Sequence, residues 1–392
     1  MQRISSRLCA LGTPRGAGQK RRLLRAPLGV VVLAAGLVLP YLLVLASRAE
    51  SHGGASRPAH YRIDILDVPG AYSTRASTVS TSGAVGVNVI SDAGGRRGWL
   101  WKRGVWQELP AQDSGASTVL FRLCDGGRAA GYVVDHAYNA AAVVWEGSRV
   151  RQLDGLPAGQ SGRAMDMNKS GVVVGNKGGR AGSPPTRAVL WQDGGVRDLP
   201  LLPGGRESQA CAINGHGEIA GWADARDPGG KLQQHAVVWI DGKIHRLPEP
   251  PGATHSAAHA INEQGIVVGW VTNSQDPGNN WDAATGCVWE CGRCTKIKIP
   301  GTTGSMAFAV NNSAEVVGTA FIEETGERLA FLWTRELGGV ILGHWWHHLV
   351  RFELSTANDI NDRGQIVGAA FADGPWPGVY KPSYGFLLTP VP

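Results

Sequence analysis

One phrase, Ala260-Ile-Asn-Glu-Gln-Gly-Ile-Val-Val-Gly269, recurs along this chain and constrains its fold more than any other feature. The closing glycine of the phrase returns at intervals of 45, 44, 46, 48, 49 and 50 residues, at Gly86, Gly131, Gly175, Gly221, Gly269, Gly318 and Gly368. Such a period indicates stacked copies of one unit, because a single copy cannot bury its own apolar face. The sequence therefore predicts seven structural units.

Two more positions repeat within the units. Five units place an asparagine seven residues before the closing glycine, whereas unit two has Cys124 there and unit one has Ser80 one residue nearer. An apolar run follows each glycine, and six of the 14 tryptophans end such a run: Trp101, Trp145, Trp191, Trp239, Trp289 and Trp333. Short Val-rich runs bounded by Gly, Asn and Pro are typical of β-strands, and Asp241-Gly242 suits a two-residue hairpin turn with positive φ.

Each unit contains four such runs, so it is predicted to form a four-stranded antiparallel blade. A repeat of this length and composition matches an all-β, seven-bladed β-propeller rather than a shorter solenoid unit. Unit seven ends at Pro392, soon after Leu388, and lacks a fourth strand, whereas Tyr61–Leu66 has the spacing of one before the first unit. We therefore expect this N-terminal strand to complete the last blade and close the ring.

The phrases Ala-Ile-Asn-x-x-Gly-x-Val-Val-Gly and His235-Ala-Val-Val-Trp239 resemble the bacterial HAF-type extracellular repeat family, over roughly residues 60 to 390. The resemblance implies export from a bacterial cell and a propeller-like fold. It implies no activity and supplies no catalytic residues.

The N-terminal segment reads as a targeting signal. Residues 1–25 carry seven basic and no acidic side chains, and residues 26–46 form an uncharged run long enough to span a bilayer as a helix. We expect residues 1–49 to be a basic leader that acts as a signal peptide or an inner-membrane anchor, residues 50–59 a flexible tether, and residues 60–392 the propeller. The remainder of the chain would lie outside the cytoplasm, in the periplasm, on the cell surface or secreted. Because the leader accounts for the basic balance, nucleic acid is not an expected partner.

Loop lengths point to one end of the propeller as the binding face. The loops between second and third strands and the connections between blades vary in length, and they carry tryptophans, histidines and acids. Function tends to lie on variable loops held by a rigid scaffold, and aromatic side chains contact sugars and proteins well. Candidate ligand-binding residues are Trp222, Asp224, Trp270, Trp281, Asp282, His344, Trp345, Trp346, His347 and Trp376. Trp222 and Trp270 directly follow a repeat glycine, so packing between blades is an equal alternative for them.

No metal or cofactor is expected. A zinc site at His344, His347 and His348 lacks matching carboxylates or cysteines. The sequences Asp227-Pro-Gly and Asp276-Pro-Gly indicate turns more strongly than they indicate calcium ligands. Cys124 and Cys211 occupy repeat positions and are expected to be small buried side chains. In an exported protein, Cys291 and Cys294 are candidates for a disulfide.

Two functions follow, and they belong to different classes. The favoured hypothesis is a binding or surface scaffold for a glycan or protein partner, because no known catalytic motif is present. The alternative is an extracellular polysaccharide lyase or hydrolase that uses the axial end of the channel, with His255, His259, Asp224 and Asp282 as acid or base groups. A purely structural cell-surface repeat would bind no ligand at all.

Overall fold

The computed structural model of the chain describes residues 60–91, 94–111, 116–157, 159–178, 185–274, 281–347, 350–372 and 382–391. They form 29 strands in seven antiparallel sheets, six of four strands and one of five, so the prediction of a seven-bladed propeller is confirmed, with one strand more than expected in a single blade. Among these residues no helix is long and apolar enough to cross a membrane. The predicted leader, tether and N-terminal helix lie outside them.

Blades one to six each consist of four consecutive strands. Blades one to three contain β2 (Ala71–Val79), β3 (Val85–Ser91), β4 (Arg96–Lys102), β5 (Val105–Glu108), β6 (Ser117–Leu123), β7 (Arg128–Val134), β8 (Ala140–Glu146), β9 (Arg149–Gln152), β10 (Ser161–Met167), β11 (Val173–Gly178), β12 (Arg187–Gln192) and β13 (Gly195–Asp198). Blades four to six contain β14 (Ser208–Ile213), β15 (Ile219–Arg226), β16 (Leu232–Ile240), β17 (Lys243–Arg246), β18 (His255–Ile261), β19 (Val267–Thr272), β20 (Thr285–Glu290), β21 (Arg293–Lys296), β22 (Thr302–Val310), β23 (Val316–Ile322), β24 (Arg328–Thr334) and β25 (Gly338–Ile341).

Blade seven draws on both ends of the propeller. Its strands are β1 (His60–Leu66), β26 (His344–His347), β27 (Val350–Ile360), β28 (Ile366–Ala372) and β29 (Ser383–Val391). β1 pairs antiparallel with β29 in a register that runs from His60 opposite Val391 to Leu66 opposite Gly385. The short β26 adds a strand on the other side of this sheet, beside the start of β27.

The hydrophobic core is divided among the interfaces between blades. One cluster packs Val174 of blade three against Ala210 and Trp239 of blade four. Another packs Leu66 and Leu387 of blade seven against Val85 of blade one. Each blade therefore buries its faces against its neighbours, as stacked repeats must.

The closing glycine of the repeat leaves space for a neighbouring carbonyl. Each first strand is bulged where it pairs with the second strand, as between Ala258 and Ala260 in blade five. A Cβ added to Gly269 would lie 1.9 Å from the backbone oxygen of Ala257, and the equivalent glycines of blades two, three, four, six and seven meet a carbonyl at 1.9 or 2.0 Å. No side chain fits at that distance, which explains why the slot repeats.

The repeat asparagines link successive blades around the axis. Asn262 Oδ1 accepts hydrogen bonds from Gln264 N (3.0 Å) and Ile266 N (2.9 Å), and its Nδ2 donates to Asn311 O of the next blade (3.0 Å). Four further links join Asn168 to Asn214, Asn214 to Asn262, Asn311 to Asn361 and Asn361 to Ser80, at 2.9 to 3.2 Å. An amide suits this slot because it accepts from its own turn and still donates outward.

The repeat tryptophans also bond between blades. Nε1 of Trp145, Trp239 and Trp289 donates to the carbonyl of Pro110, Pro200 and Pro248 at the end of the preceding blade, at 2.7 to 2.8 Å. Side-chain hydroxyls also form hydrogen bonds between blades. Ser256 Oγ of blade five accepts a hydrogen bond from Ala236 N of blade four (2.7 Å), and Thr74 Oγ1 of blade one accepts one from Gly385 N of blade seven (2.8 Å). Glycine, asparagine and tryptophan of the repeat are thus all committed to architecture.

Candidate functional site

The first strands of the seven blades surround a central channel that opens into a cavity of about 260 Å³ at the end formed by the asparagine turns. Its wall comes from the last residues of each first strand, and its mouth comes from the turn residues that follow. A channel of this kind is the natural concave site of a propeller, because every blade contributes one side chain at each level.

One repeat position distinguishes the blades within this wall. The residue two positions before the asparagine, or before its equivalent, is in order Thr78, Arg122, Asp166, Ala212, Ala260, Ala309 and Asp359. Blades four to six therefore present a methyl group where blades two, three and seven present a charge. The channel has one charged arc and one apolar arc.

Arg122 bridges the two carboxylates of the charged arc. Its Nε lies 3.2 Å from Asp166 Oδ1, and one of its terminal nitrogens lies 3.6 Å from Asp359 Oδ2. The Arg122 side chain is 43% exposed, whereas those of Asp166 and Asp359 are 9% exposed. Since the arginine is walled in by the channel, this exposed surface faces the cavity rather than the outside of the protein.

Both carboxylates are fixed by backbone donors. Asp166 accepts hydrogen bonds from Met167 N (2.8 Å) and from Ile213 N of the next blade (2.9 Å). Asp359 accepts from Ile360 N, from Val79 N and from the Thr78 hydroxyl, each at 2.9 Å. These bonds hold the two carboxylates in place and leave Arg122 as the member that can reach a ligand.

The electrostatics of this arc hold Arg122 as a permanent cation. Asp166, and to a smaller extent Asp359, raise the pKa of Arg122 above its ordinary value despite burial. Burial raises the pKa of Asp166, and this effect is opposed by Arg122 and by the two backbone donors. Over the whole cavity, five carboxylates (Asp125, Asp166, Glu263, Asp359 and Asp362) face two cations (Arg122 and Lys169), so the field is negative.

Aromatic side chains lie on both arcs, with Phe121 on blade two and His259 and Phe308 on blades five and six. The rings of His259 and Phe308 stack with centroids 5.5 Å apart, and Phe121 approaches Tyr132 at 5.5 Å. His259, Phe308 and Phe121 line the cavity and are half-buried. His259 Nδ1 lies 3.0 Å from Ala307 O, and burial lowers the pKa of its imidazole. The cavity thus offers hydrogen-bonding groups and ring surfaces together.

The mouth of the cavity is built from linked turns. Glu263 accepts Gly215 N (2.9 Å), Asn312 Oδ1 accepts Glu263 N (3.0 Å), and Asp362 accepts both Asn312 N and Asn312 Nδ2 (2.8 Å each). These links pre-position the rim, which favours recognition of a rigid ligand.

The structure places several predicted loop residues on strands instead. Trp270 lies on β19, is 3% exposed and packs among Ala257, Ala284 and Phe321 between blades. Trp222 lies on β15, half-buried against the same cluster. Both tryptophans therefore pack between blades, which was the alternative prediction for them. A surface role for Trp270 is wrong, because the ring is enclosed.

Asp224 is likewise an internal group. It is 7% exposed, and its Oδ1 accepts Arg206 N (2.6 Å) and Glu207 N (2.8 Å), so it stabilises the connection into blade four. Exposed loop placement for Asp224 is therefore wrong. Asp282 is exposed within the short 3-10 turn Trp281–Ala283.

Four of the remaining predicted residues lie at the opposite end from the cavity. His344, Trp345, Trp346 and His347 form β26, paired with Val350–Glu353. Trp376, His348 and Asp276 lie outside the described residues. Within the residues that the structure describes, no group of three His, Cys, Asp or Glu side chains is placed to hold a metal ion.

The acid and base candidates do not converge. His255 is buried beside Thr254, with Nδ1 3.0 Å from its hydroxyl, and burial lowers the pKa of this imidazole. His259 faces the channel, whereas Asp224 and Asp282 lie towards the other end. A separate buried network joins Glu249 to His235 Nδ1 (2.9 Å) and to Ser256 Oγ (2.5 Å). Ser256 is fully buried there, so its hydroxyl cannot reach a substrate.

The cysteines also depart from expectation. Cys291 is the first residue of a two-residue turn with φ of 49°, followed by Gly292 at 71°. Cys294 is a free thiol, so the predicted bond to Cys291 is wrong. Strand alternation explains this, because Cys294 stands opposite Trp289 and therefore shares a face with Cys287. Cys124 and Cys211, expected to be buried, are half-buried and line the channel.

The sequence contained a signal for the channel that motif reading overlooks. The slot two positions before each asparagine holds alanine in three units and a charge in three others. Deviations from a repeat at an inward-facing position identify a candidate site, whereas its shared residues identify the scaffold. Loop length and tryptophan content point instead to the other end of the molecule.

Comparison with solved structures identifies the class of fold. The acylaminoacyl peptidase of Pyrococcus horikoshii is similar with a TM-score of 0.52 at 14% identity, over 80% of this chain and 50% of that chain. The β-propeller domain of the Trilobed protease from Pyrococcus furiosus gives 0.52 at 14% identity, over 81% and 94%. An Aleuria aurantia lectin in complex with Fucα1-6GlcNAc gives only 0.38 at 12% identity, over 69% and 94%.

The likeness to the Pyrococcus furiosus domain supports the β-propeller fold and nothing narrower, since the identity is low. This chain spans half of the length of the Pyrococcus horikoshii peptidase. The sequence matches no known family description and no characterised protein, so the resemblance to HAF-type repeats depends on the repeated phrase alone.

Proposed function

We propose that this propeller is a binding scaffold whose central channel receives one residue of a glycan. The observation that carries the proposal is the alanine at the charged slot in blades four, five and six: Ala212, Ala260 and Ala309. Because three blades join their neighbours without a charge there, the fold does not require Arg122, Asp166 and Asp359. Such groups in a concave pocket are candidates for ligand recognition.

The chemistry of the cavity favours a neutral or amino-bearing sugar. Carboxylates accept hydroxyl and ammonium donors, Arg122 donates to ring or hydroxyl oxygens, and the Phe308 and His259 rings offer an apolar surface. The excess of carboxylates repels uronic acids, sialic acids and nucleic acid phosphates. At about 260 Å³ the cavity is slightly smaller than a typical drug-sized site, which suits a single ring.

The test replaces the charged arc by the residues of the apolar arc. In the triple variant Arg122→Ala/Asp166→Ala/Asp359→Ala all seven blades lack a charged side chain at this position. We expect an unchanged β-sheet circular dichroism spectrum, with at least a tenfold loss of affinity for sugars that the wild type binds on a glycan array and in calorimetry.

A matched variant at the opposite end completes the design: Trp281→Ala/Trp345→Ala/Trp346→Ala. If this variant loses the sugar while the channel variant keeps it, the ligand lies on the loop face and the channel proposal is wrong. If no glycan binds the wild type but a protein partner is retained by both variants, the channel has no part in recognition. Turnover of a polysaccharide that a His259→Ala change abolishes would favour the enzymatic alternative.

The proposal extends to location, on the strength of the sequence alone. We propose that residues 1–49 direct export, with residues 26–46 either removed or kept as an inner-membrane anchor, in line with the HAF-type resemblance. Fractionation of bacterial cells expressing the full chain tests this, and recovery of the propeller in the cytoplasm alone would contradict it.

A further inference from the structure

Two free thiols lie together in blade five. Cys287 on β20 and Cys294 on β21 are both free, and their Sγ atoms are 3.0 Å apart. Cys287 is fully buried, whereas Cys294 is half-buried and reachable from solvent. The two residues are diagonal neighbours on one face, because Cys294 pairs with Trp289 and Cys287 pairs with Lys296.

The other blades show that the sheet has no structural need for sulfur here. The equivalent pairs are Val143 and Val150 in blade two, Val189 and Val196 in blade three, and Val237 and Ile244 in blade four. Each is an apolar pair that packs within its blade. Blade five replaces both members with cysteine, so the exchange concerns the pair rather than one position.

We propose that Cys287 and Cys294 are an oxidation site, which closes to an intrablade disulfide when the protein meets an external disulfide such as oxidised glutathione. The sulfur atoms must approach by about 1 Å to reach bonding distance. Strand β21 can make this adjustment, since it has four residues and pairs with β20 alone at the outer edge of the sheet.

The reaction is thiol–disulfide exchange and is balanced. The Cys294 thiolate attacks one sulfur of the external disulfide, forms a mixed disulfide and releases one thiolate. The Cys287 thiol loses its proton to water and attacks Cys294 Sγ, which expels the second thiolate; both released thiolates take up protons. The protein loses two hydrogens and the external disulfide is reduced to two thiols.

The environment assigns the attacking role to Cys294. The pKa of its thiol is lowered by the hydrogen bond to Cys287 and, against the effect of burial, by the nearby Lys296 ammonium. Cys287 is enclosed and can react only with a neighbour, so it is the resolving thiol.

The experiment uses the full chain, reduced and then incubated with oxidised glutathione, alkylated, and cleaved with chymotrypsin and trypsin. Cleavage after Trp289, followed by tryptic cleavage after Arg293, places Cys287, Cys291 and Cys294 on three different peptides, so a Cys287–Cys294 crosslink has a unique mass. We expect this crosslink in the wild type. In Cys287→Val, a glutathione adduct on Cys294 should accumulate, and in Cys294→Ile, Cys287 should stay unmodified while the protein is folded.

Cys287→Val and Cys294→Ile introduce the residue types that blade four has at these positions, so both variants should fold, which circular dichroism verifies independently. Three results would overturn the proposal: a glutathione adduct on Cys294 of the wild type that never resolves, crosslinking of Cys294 to Cys291 instead, or full alkylation of both thiols after oxidation.

Discussion

The two arcs of the channel wall differ in one repeat position and in what that position does. In the charged arc, Asp166 and Asp359 accept backbone donors of the next blade and flank Arg122. In the apolar arc, Ala212, Ala260 and Ala309 occupy the same slot with a methyl group. The fold therefore tolerates inter-blade bonding by these aspartates but does not require it. The charged residues of the channel are therefore available for ligand recognition.

The repeat glycine should give the largest effect, because both arcs depend on it equally. Gly269→Ala would place a Cβ 1.9 Å from Ala257 O, and relief requires the bulge of β18 to be lost. We expect the free energy of unfolding to fall by more than about 3 kcal/mol, measured by denaturant titration. Gly195→Ala is the control, since its added Cβ meets nothing nearer than 3.8 Å and should cost under about 1 kcal/mol. Equal stability of both variants would contradict this account.

Loss of one asparagine link should come next. Asn262→Ala removes two acceptor bonds of its turn and the bond to Asn311 O, all in a residue 5% exposed. We expect a loss of about 2–4 kcal/mol in thermal or denaturant unfolding. Asn262→Ser should cost less, because Ser80 shows that a hydroxyl still accepts the amide four residues on, at 3.1 Å. A serine variant as unstable as the alanine variant would show that the outward link matters more than the turn.

The substitution Arg122→Ala changes the charged arc and leaves the apolar arc intact. Arg122→Ala leaves Asp166 and Asp359 without their cation, and we expect a loss of about 1–2 kcal/mol at neutral pH after allowance for the exposed guanidinium. The triple alanine variant should recover most of this loss, as blades four to six do without the charges. If it is less stable than Arg122→Ala, the aspartate bonds are structural and the comparison between the arcs fails.

The smallest effect concerns pH. Burial lowers the pKa of His259 in the folded protein below its ordinary value near 6.5. The unfolded chain therefore binds more protons between the two pKa values, so this contribution is complete above about pH 6.5 and declines as the pH falls through that window. His259→Gln should reduce the loss of stability between pH 7.5 and pH 5 by about 1 kcal/mol. An unchanged pH profile would show that His259 stays solvated.

The sequence sufficed for the architecture because the architecture is what repeats. The glycine, asparagine and tryptophan slots predicted seven blades, and their bonds to neighbouring blades supply the physical reason. The turn at Asp241-Gly242 has the positive φ values that were expected, 50° and 74°. These features are local, so spacing alone reveals them.

The site was less accessible to the same reasoning. Whether Trp270 faces solvent or a neighbouring blade depends on the pairing of β19 within the ring, which motif spacing does not encode. Cys291 and Cys294 are near in sequence, yet the hairpin turn places Cys294 beside Cys287. The link between Arg122 and Asp359 spans two blade boundaries and becomes visible only when the seven first strands are brought around one axis.

The pairing of β1 with β29 also has a consequence for biogenesis. The strand of the propeller that is synthesised first is the last to form its sheet pairing, because the partner of Leu66, Gly385, is synthesised near the end of the chain. Until synthesis ends, β1 lacks its partner strand, and the face of blade one that packs against blade seven is uncovered. Both surfaces can contact other chains. Contacts so distant in sequence make assembly slow, so this last pairing prolongs the time for which the ring stays open.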